Sequence, residues 1–168
     1  MLTLLKISQF TLVETMELDI SRGFTVITGE TGAGKSIILD ALGLCLGDKA
    51  DAQVVRHGAD KAELVAMFDI SRHQEAKEWL AERDLDDSQD CSLRRVIHKE
   101  GRSKAWINGS PVSLGELRSL GELLISIHSQ HAHQSLLKKD SHRQLIDNVG
   151  SLQPLALEVA AHYHTWQQ

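Results

Sequence analysis

The 168-residue chain carries a net charge of −5, with 42% hydrophobic and 24% charged residues. That balance fits one soluble domain with a real core and excludes a surface that coats nucleic acid over its whole extent. Its two cysteines, Cys45 and Cys91, have no metal or redox spacing, and no apolar run approaches the roughly 20 residues that cross a bilayer. A cytoplasmic protein without a secretory leader or membrane partner is expected.

Residues 2–28 read as strands. LTLLKISQF and LVETMELDIS alternate apolar and polar positions, SRG at 21–23 is a turn, and FTVIT is a short buried strand. A helix is predicted from Ser36 to about Leu46, with Ile37, Ile38, Ala41, Leu42, Leu44 and Cys45 inward and Gly47 at its C-terminal end. AELVAMFDIS (62–71) is a further strand, and QEAKEWLAERD (74–84) an amphipathic helix with Ala76, Trp79 and Leu80 inward. CSLRRVIHKEGRSKAWINGSPV reads as a hairpin or meander with turns at KEGR and NGS. Ser113 and Glu116 form a capping box for a helix over 114–121, and ELLISIHS is one more buried strand. From Asp140 the pattern is helical to the end, with Pro154 marking a break or a new first turn. No stop signal follows, so a longer parent protein is expected.

Charge is unevenly spread. ERDLDDSQD (82–90) is strongly acidic, whereas RRVIHKEGRSK (94–104) sets Arg94, Arg95, Lys99, Arg102 and Lys104 against one glutamate. Contact with a nucleic-acid backbone belongs in the second stretch; a solvated hairpin edge is the alternative.

The motif that carries chemistry is Gly29-Glu30-Thr31-Gly32-Ala33-Gly34-Lys35-Ser36, followed by Ile37. It matches G-x-x-x-x-G-K-[ST] between a predicted strand and a predicted helix. The glycines allow successive backbone N–H groups to face one anion, and the helix adds its positive end. Lys35 can reach β- and γ-phosphates, and Ser36 can offer a hydroxyl to Mg²⁺. Some 28 residues of strand-rich sequence precede the loop and a meander follows it. That order favours the head-type ATPases, whose nucleotide fold carries an added antiparallel sheet, over small kinases.

LLKISQFTLVETMELDISRGFTVITGETGAGKSIILDALGLCLG, VVRHGADKAEL, LRRVIHKEGRSKAWING and ISIHSQHAHQSLL together resemble the N-terminal half-head of the SMC-like (structural maintenance of chromosomes), ABC-type ATPases. The similarity covers nearly the whole chain and points to the DNA-repair branch of that family. It implies an α/β P-loop head half-domain, with parallel core strands plus a flanking antiparallel sheet, leading into a coiled-coil helix. Residues 1–139 would form the N-terminal lobe and 140–168 the start of the coiled coil. It also implies ATP and Mg²⁺ as cofactors, with Ser36 and Gln130 at the metal and Gln130 as the Q-loop glutamine. Lys49 and Arg56 stand where related heads use an arginine to reach a phosphate across a dimer. The implied partners are the C-terminal half of the same head, a second copy through ATP-engaged heads, and double-stranded DNA, with its ends or single-stranded regions. A cytoplasmic, nucleoid-associated location goes with them.

Three further features invite chemistry. His128, His131 and His133 cluster beside Gln130, but no cysteine lies near and the spacing is not that of a structural zinc site. LVAMFD could end a Walker B strand at Asp69, yet Ile70 stands where the catalytic glutamate belongs, so Asp69 reads as a strand-end residue. SLGEL occurs at 113–117 and 119–123 without the paired glycines of an ABC signature, so a capped helix is expected there. No catalytic residue for hydrolysis is thus expected in this chain. A stand-alone P-loop kinase or GTPase, and a non-hydrolysing nucleotide-gated dimerisation or DNA-binding module, are the competing readings.

Overall fold

Strands β1 (Leu2–Phe10) and β2 (Val13–Asp19) form an antiparallel pair whose partners include Leu5 with Leu18 and Ile7 with Met16. The turn between them places Gln9 and Thr11 at positive φ (52° and 48°). On the other side of β1 lies β3 (Lys61–Asp69), followed outward by β4 (Asp90–His98), β5 (Ser103–Ile107) and β6 (Ser110–Val112). The sheet order is β2-β1-β3-β4-β5-β6, and every ladder among the described residues is antiparallel. The computed structural model describes residues 1–28, 34–87, 89–125, 150 and 152–167.

The period-2 pattern sets which side chains face inward. Leu5 and Ile7 of β1, Ala62, Leu64, Ala66 and Phe68 of β3, Cys91, Leu93 and Ile97 of β4, and Ala105 and Ile107 of β5 are all buried. Helices α1 (Lys35–Cys45) and α3 (Leu114–Leu124) pack on the sheet, and α2 (Gln74–Ala81) packs on α3. Each fully buried Leu, Ile or Phe contributes roughly 1.5–3 kcal/mol relative to exposure. The opposite face of the sheet is mixed: Val65, Met67, Val96 and Trp106 share it with ion pairs, Lys6 bridging Glu17 at 2.7 Å across β1–β2 and Arg94 bridging Glu63 at 2.7 Å across β3–β4.

One predicted strand, and the start of another, are corrected. FTVIT (24–28) forms no strand; Phe24 is 95% exposed and Val26 65%. No strand among the described residues runs alongside it, so it has no ladder partner among them. The parallel core strands expected around it are likewise not found among the described residues. In ELLISIHS, residues 122–124 continue α3 instead, and the segment from Ser126 lies outside the described residues. Leu117, Leu120, Gly121 and Leu124 are buried at helical spacing, and that packing outweighs the apolar run's strand character. The capping box of Ser113 and Glu116 is present, with Ser113 Oγ accepting from Glu116 N at 3.2 Å and Glu116 Oε2 accepting from Ser113 N at 2.8 Å.

Residues Met1–Ile127 form one compact unit and His128–Gln168 a second. Within the second, α4 (Gln153–Trp166) has proline in its first turn, where a missing N–H costs nothing. Leu152, Leu155, Val159, Tyr163 and Trp166 are all exposed, and the rings of Tyr163 and Trp166 lie 5.9 Å apart. None of the helices among the described residues is long and apolar enough to cross a membrane.

Candidate nucleotide site

Helix α1 begins at the end of the glycine-rich loop. Gly34 is its N-cap at φ 93°, in the left-handed region, and Ile38 N donates to Gly34 O at 3.3 Å to close the first turn. A Cβ at Gly34 would meet only Ile37 Cδ1, at 3.9 Å, so glycine is demanded here by the backbone angle rather than by crowding. Lys35 and Ser36 are exposed at this end and Ile37 is half-buried. No acidic residue occupies the first turn, so no carboxylate of that turn offsets the helix's positive end. Gly29, Glu30, Thr31, Gly32 and Ala33 lie outside the described residues, as do Gln130, His128, His131 and His133.

The other end of α1 is built as an anchor. Ala41, Leu42, Gly43, Leu44 and Cys45 are buried, and burial pushes the Cys45 thiol up to about 12. The chain leaves through Gly47 at φ 102°, with Asp48 N donating to Gly43 O at 3.0 Å and Gly47 N to Leu44 O at 3.3 Å. These two bonds make a Schellman turn. A Cβ on Gly47 would lie 2.7 Å from the Arg118 backbone, and one on Gly121 would lie 2.6 Å from Leu46 O. Helix α3 therefore presses directly on the end of α1.

Arg95 completes the anchor, which corrects its expected role. It was expected at a DNA backbone or on a solvated edge, but it is 1% exposed. Its position in β4 shares parity with Cys91, Leu93 and Ile97, so its side chain points into the core. Nη1 donates to Leu44 O at 3.1 Å and to Asp48 O at 3.2 Å, and Nη2 donates to Ser103 Oγ at 3.2 Å. Arg95 is thus a cationic cap on the C-terminal end of the phosphate-loop helix. Burial lowers its pKa, opposed by Cys45 and Asp48, but a guanidinium stays charged.

The remaining basic candidates separate. Arg94 donates Nε to Glu63 Oε1 at 2.7 Å and lies 4.6 Å over the Trp106 ring. Lys99, Arg102 and Lys104 are exposed on the β4–β5 hairpin, where Lys99 N donates to Asp60 O at 3.0 Å. Lys61, which pairs with His98 in the β3–β4 register, adds a cation at that end that the sequence reading did not pick out. Its signal was position in a strand start beside the basic turn. Lys49 is exposed two residues beyond the Schellman glycine. Arg56 is half-buried: its N donates to Gln9 O at 2.9 Å and its guanidinium lies 3.7 Å from Glu14. Asp69 ends β3, its carboxylate accepting from Ser71 N at 2.9 Å and Arg22 Nη2 at 3.0 Å. Among the described residues no group of three His, Cys, Asp or Glu side chains could hold a metal ion.

Residues 1–128 match the family model described as the RecF/RecN/SMC N terminal domain. The chain belongs to this family. It is 48% identical over 168 residues to the DNA repair protein RecN of Vibrio cholerae, covering all of this chain and 30% of that protein. To the RecN of Bacillus subtilis it is 40% identical over 148 residues, covering 88% of this chain and 26% of the relative. The chain therefore spans less than a third of the length of these relatives. Among solved structures, an Smc head domain with an extended coiled coil from Pyrococcus furiosus superposes with a TM-score of 0.70 at 21% identity, covering 99% of this chain and 46% of that one. A chain from a study of ATP-driven dimerization and DNA-stimulated activation of SMC ATPases gives a TM-score of 0.63 at 22% identity, covering 88% and 98%. The fold is that of an SMC-type ATPase head.

Proposed function

We propose that this chain is the ATP-binding N-terminal part of a RecN-like DNA repair ATPase whose hydrolysis depends on segments outside it. The observation that carries the reading is the start of α1. A left-handed glycine at the N-cap delivers Lys35 and Ser36 to an exposed helix end without acidic residues, in a chain of the RecF/RecN/SMC family. Backbone N–H groups of Gly29–Gly34 would hold the β- and γ-phosphates, with Lys35 as their point charge and Ile37 behind the loop. Ser36 and Gln130 fit Mg²⁺, which when bound neutralises charge on those phosphates. In this reading residues 1–139 act as the nucleotide lobe and 140–168 open a coiled coil.

The partners follow the same logic. A second head would approach with Lys49 and Arg56 toward its nucleotide, although Glu14 beside Arg56 competes for that charge. Lys99, Arg102 and Lys104 form the surface we assign to a DNA backbone, in a cytoplasmic, nucleoid-associated protein. Turnover is tested on this chain alone and after mixing with the separately made remainder of the protein. Activity on mixing only is the expected result; robust turnover by the chain alone would favour a stand-alone NTPase. Reversing the charges of Lys99, Arg102 and Lys104 should weaken DNA binding and flatten its salt dependence, and unchanged binding would remove the hairpin from the interface.

A further inference from the structure

A second group of cations lies at the end of the sheet where β1 starts and β3 stops. A cleft of about 330 Å³ is lined there by Met1, Arg22, Asp69, Ser71, Arg72 and His73. That volume falls at the lower end of the roughly 300–1,000 Å³ typical of small-ligand clefts. Two arginines and a histidine face a single carboxylate, in a chain whose overall charge is −5. The lining is therefore opposite in sign to the average surface.

The carboxylate serves as the scaffold of the cleft. Asp69 Oδ1 accepts from Ser71 N and Oδ2 from Arg22 Nη2, while its backbone N donates to Met1 O at 2.8 Å. His73 N donates to Ile70 O at 2.9 Å, closing the turn that presents Arg72 and His73. Lys77 Nζ donates to Ser71 O at 2.7 Å and ties the same turn to α2. These bonds fix the loop without using the side chains of Arg72 or His73. The Arg22 side chain is 66% exposed and spends one of its five N–H donors on Asp69. Arg72 is exposed and His73 half-buried, and neither side chain has a hydrogen-bond or ion-pair partner among the described residues. Planar guanidinium forks match the oxygens of a phosphate group in pairs, which a carboxylate already engaged by Ser71 does not satisfy.

We propose that this cleft is a phosphate-binding site, in which Arg22 and Arg72 grip a phosphate monoester or free phosphate beside His73, separate from the glycine-rich loop. One terminal phosphate group fits, whether free or carried on the end of a nucleic-acid strand. None of its residues belongs to the glycine-rich loop.

The test uses the intact protein carrying Lys35→Ala, so that the glycine-rich loop contributes little phosphate binding. Titration calorimetry with inorganic phosphate should show saturable binding that Arg72→Gln weakens roughly tenfold, the scale of one charge-assisted hydrogen bond. Arg22→Gln should weaken it similarly, and Arg72→Lys should retain part of it. In the Lys35 background, a short 5′-phosphorylated oligonucleotide and its dephosphorylated twin separate the two sources. Preference for the phosphorylated strand assigns a strand end, and equal affinity for the two assigns free phosphate. In the converse arm, Arg72→Gln in an otherwise unaltered protein should leave ATP affinity unchanged. Arg72 is exposed, so its replacement does not threaten folding. Phosphate binding that is absent, or that survives Arg72→Gln and Arg22→Gln undiminished, overturns the proposal.

Discussion

The two ends of α1 are built on opposite rules. At the N-terminal end Lys35 and Ser36 are exposed, the cap is a bare glycine, and no acid sits in the first turn. At the C-terminal end the last five residues are buried, Arg95 caps the carbonyls, and α3 lies against Gly47. An anion site at a helix terminus needs donors that point at the ligand and do not move when it arrives. Fixing one end is how the other can be left open without becoming loose. The difference teaches that residues far from the glycine-rich loop in sequence, Arg95 above all, support the helix that begins there.

The comparison is broken most severely at its open end. Lys35→Ala should lower ATP affinity by about 100-fold or more while leaving the melting temperature of the unliganded protein nearly unchanged, since Lys35 is exposed. Calorimetric titration with ATP checks the first and a thermal melt the second; unchanged affinity would sink the phosphate-loop assignment. At the anchored end, Gly47→Ala combines a φ of 102° with a 2.7 Å approach to the Arg118 backbone. A loss of about 2–4 kcal/mol is expected in denaturant unfolding. Arg95→Met removes three hydrogen bonds from a buried cation and should cost about 2–3 kcal/mol, whereas Arg94→Met one residue away should cost under about 1 kcal/mol. Equal effects at 94 and 95 would contradict the inward placement of Arg95.

The smallest expected effect is in pH. The hydrogen bond from Arg94 holds Glu63 below its ordinary range, and bonds from Ser71, then Arg22, hold Asp69 lower still. Both carboxyls have folded pKa values under their unfolded ones. The stability they contribute is complete above the unfolded values, near about pH 4, and is lost as pH falls through the folded ones. Glu63→Gln should therefore shallow the decline in melting temperature below about pH 4 and leave its neutral value almost unaltered. A decline of unchanged steepness would show that Glu63 is not linked to folding.

Much of this was legible in the sequence. The alternation in LTLLKISQF and CSLRRVIH, the turns at KEGR and NGS, the box of Ser113 and Glu116, and Gly47 as a helix stop all rest on local rules, and local rules held. FTVIT failed because a strand is a property of two segments, and one sequence window shows only one of them. The first residues of ELLISIHS joined α3 because an apolar run fits a buried helix as well as a strand, and packing of Gly121 on Leu46 favours the helix there. Arg95 could have been read correctly. Its parity with Leu93 and Ile97 pointed inward, but grouping it by charge with Arg94 hid the period. The glycine-rich loop reads as a phosphate site from spacing alone, since G-x-x-x-x-G-K-S fixes four residues within eight positions.

The exposed row on α4 has a geometric consequence. Leu152, Leu155, Val159, Tyr163 and Trp166 are separated by three, four, four and three positions, so the pattern repeats after eleven residues. Eleven residues over three turns give about 3.67 per turn, slightly more than the helix itself, where a seven-residue repeat gives less. A stripe of that period keeps almost parallel to the helix axis and drifts gently to the right. A helix laid along it would start out nearly straight, without the left-handed winding that a heptad seam imposes.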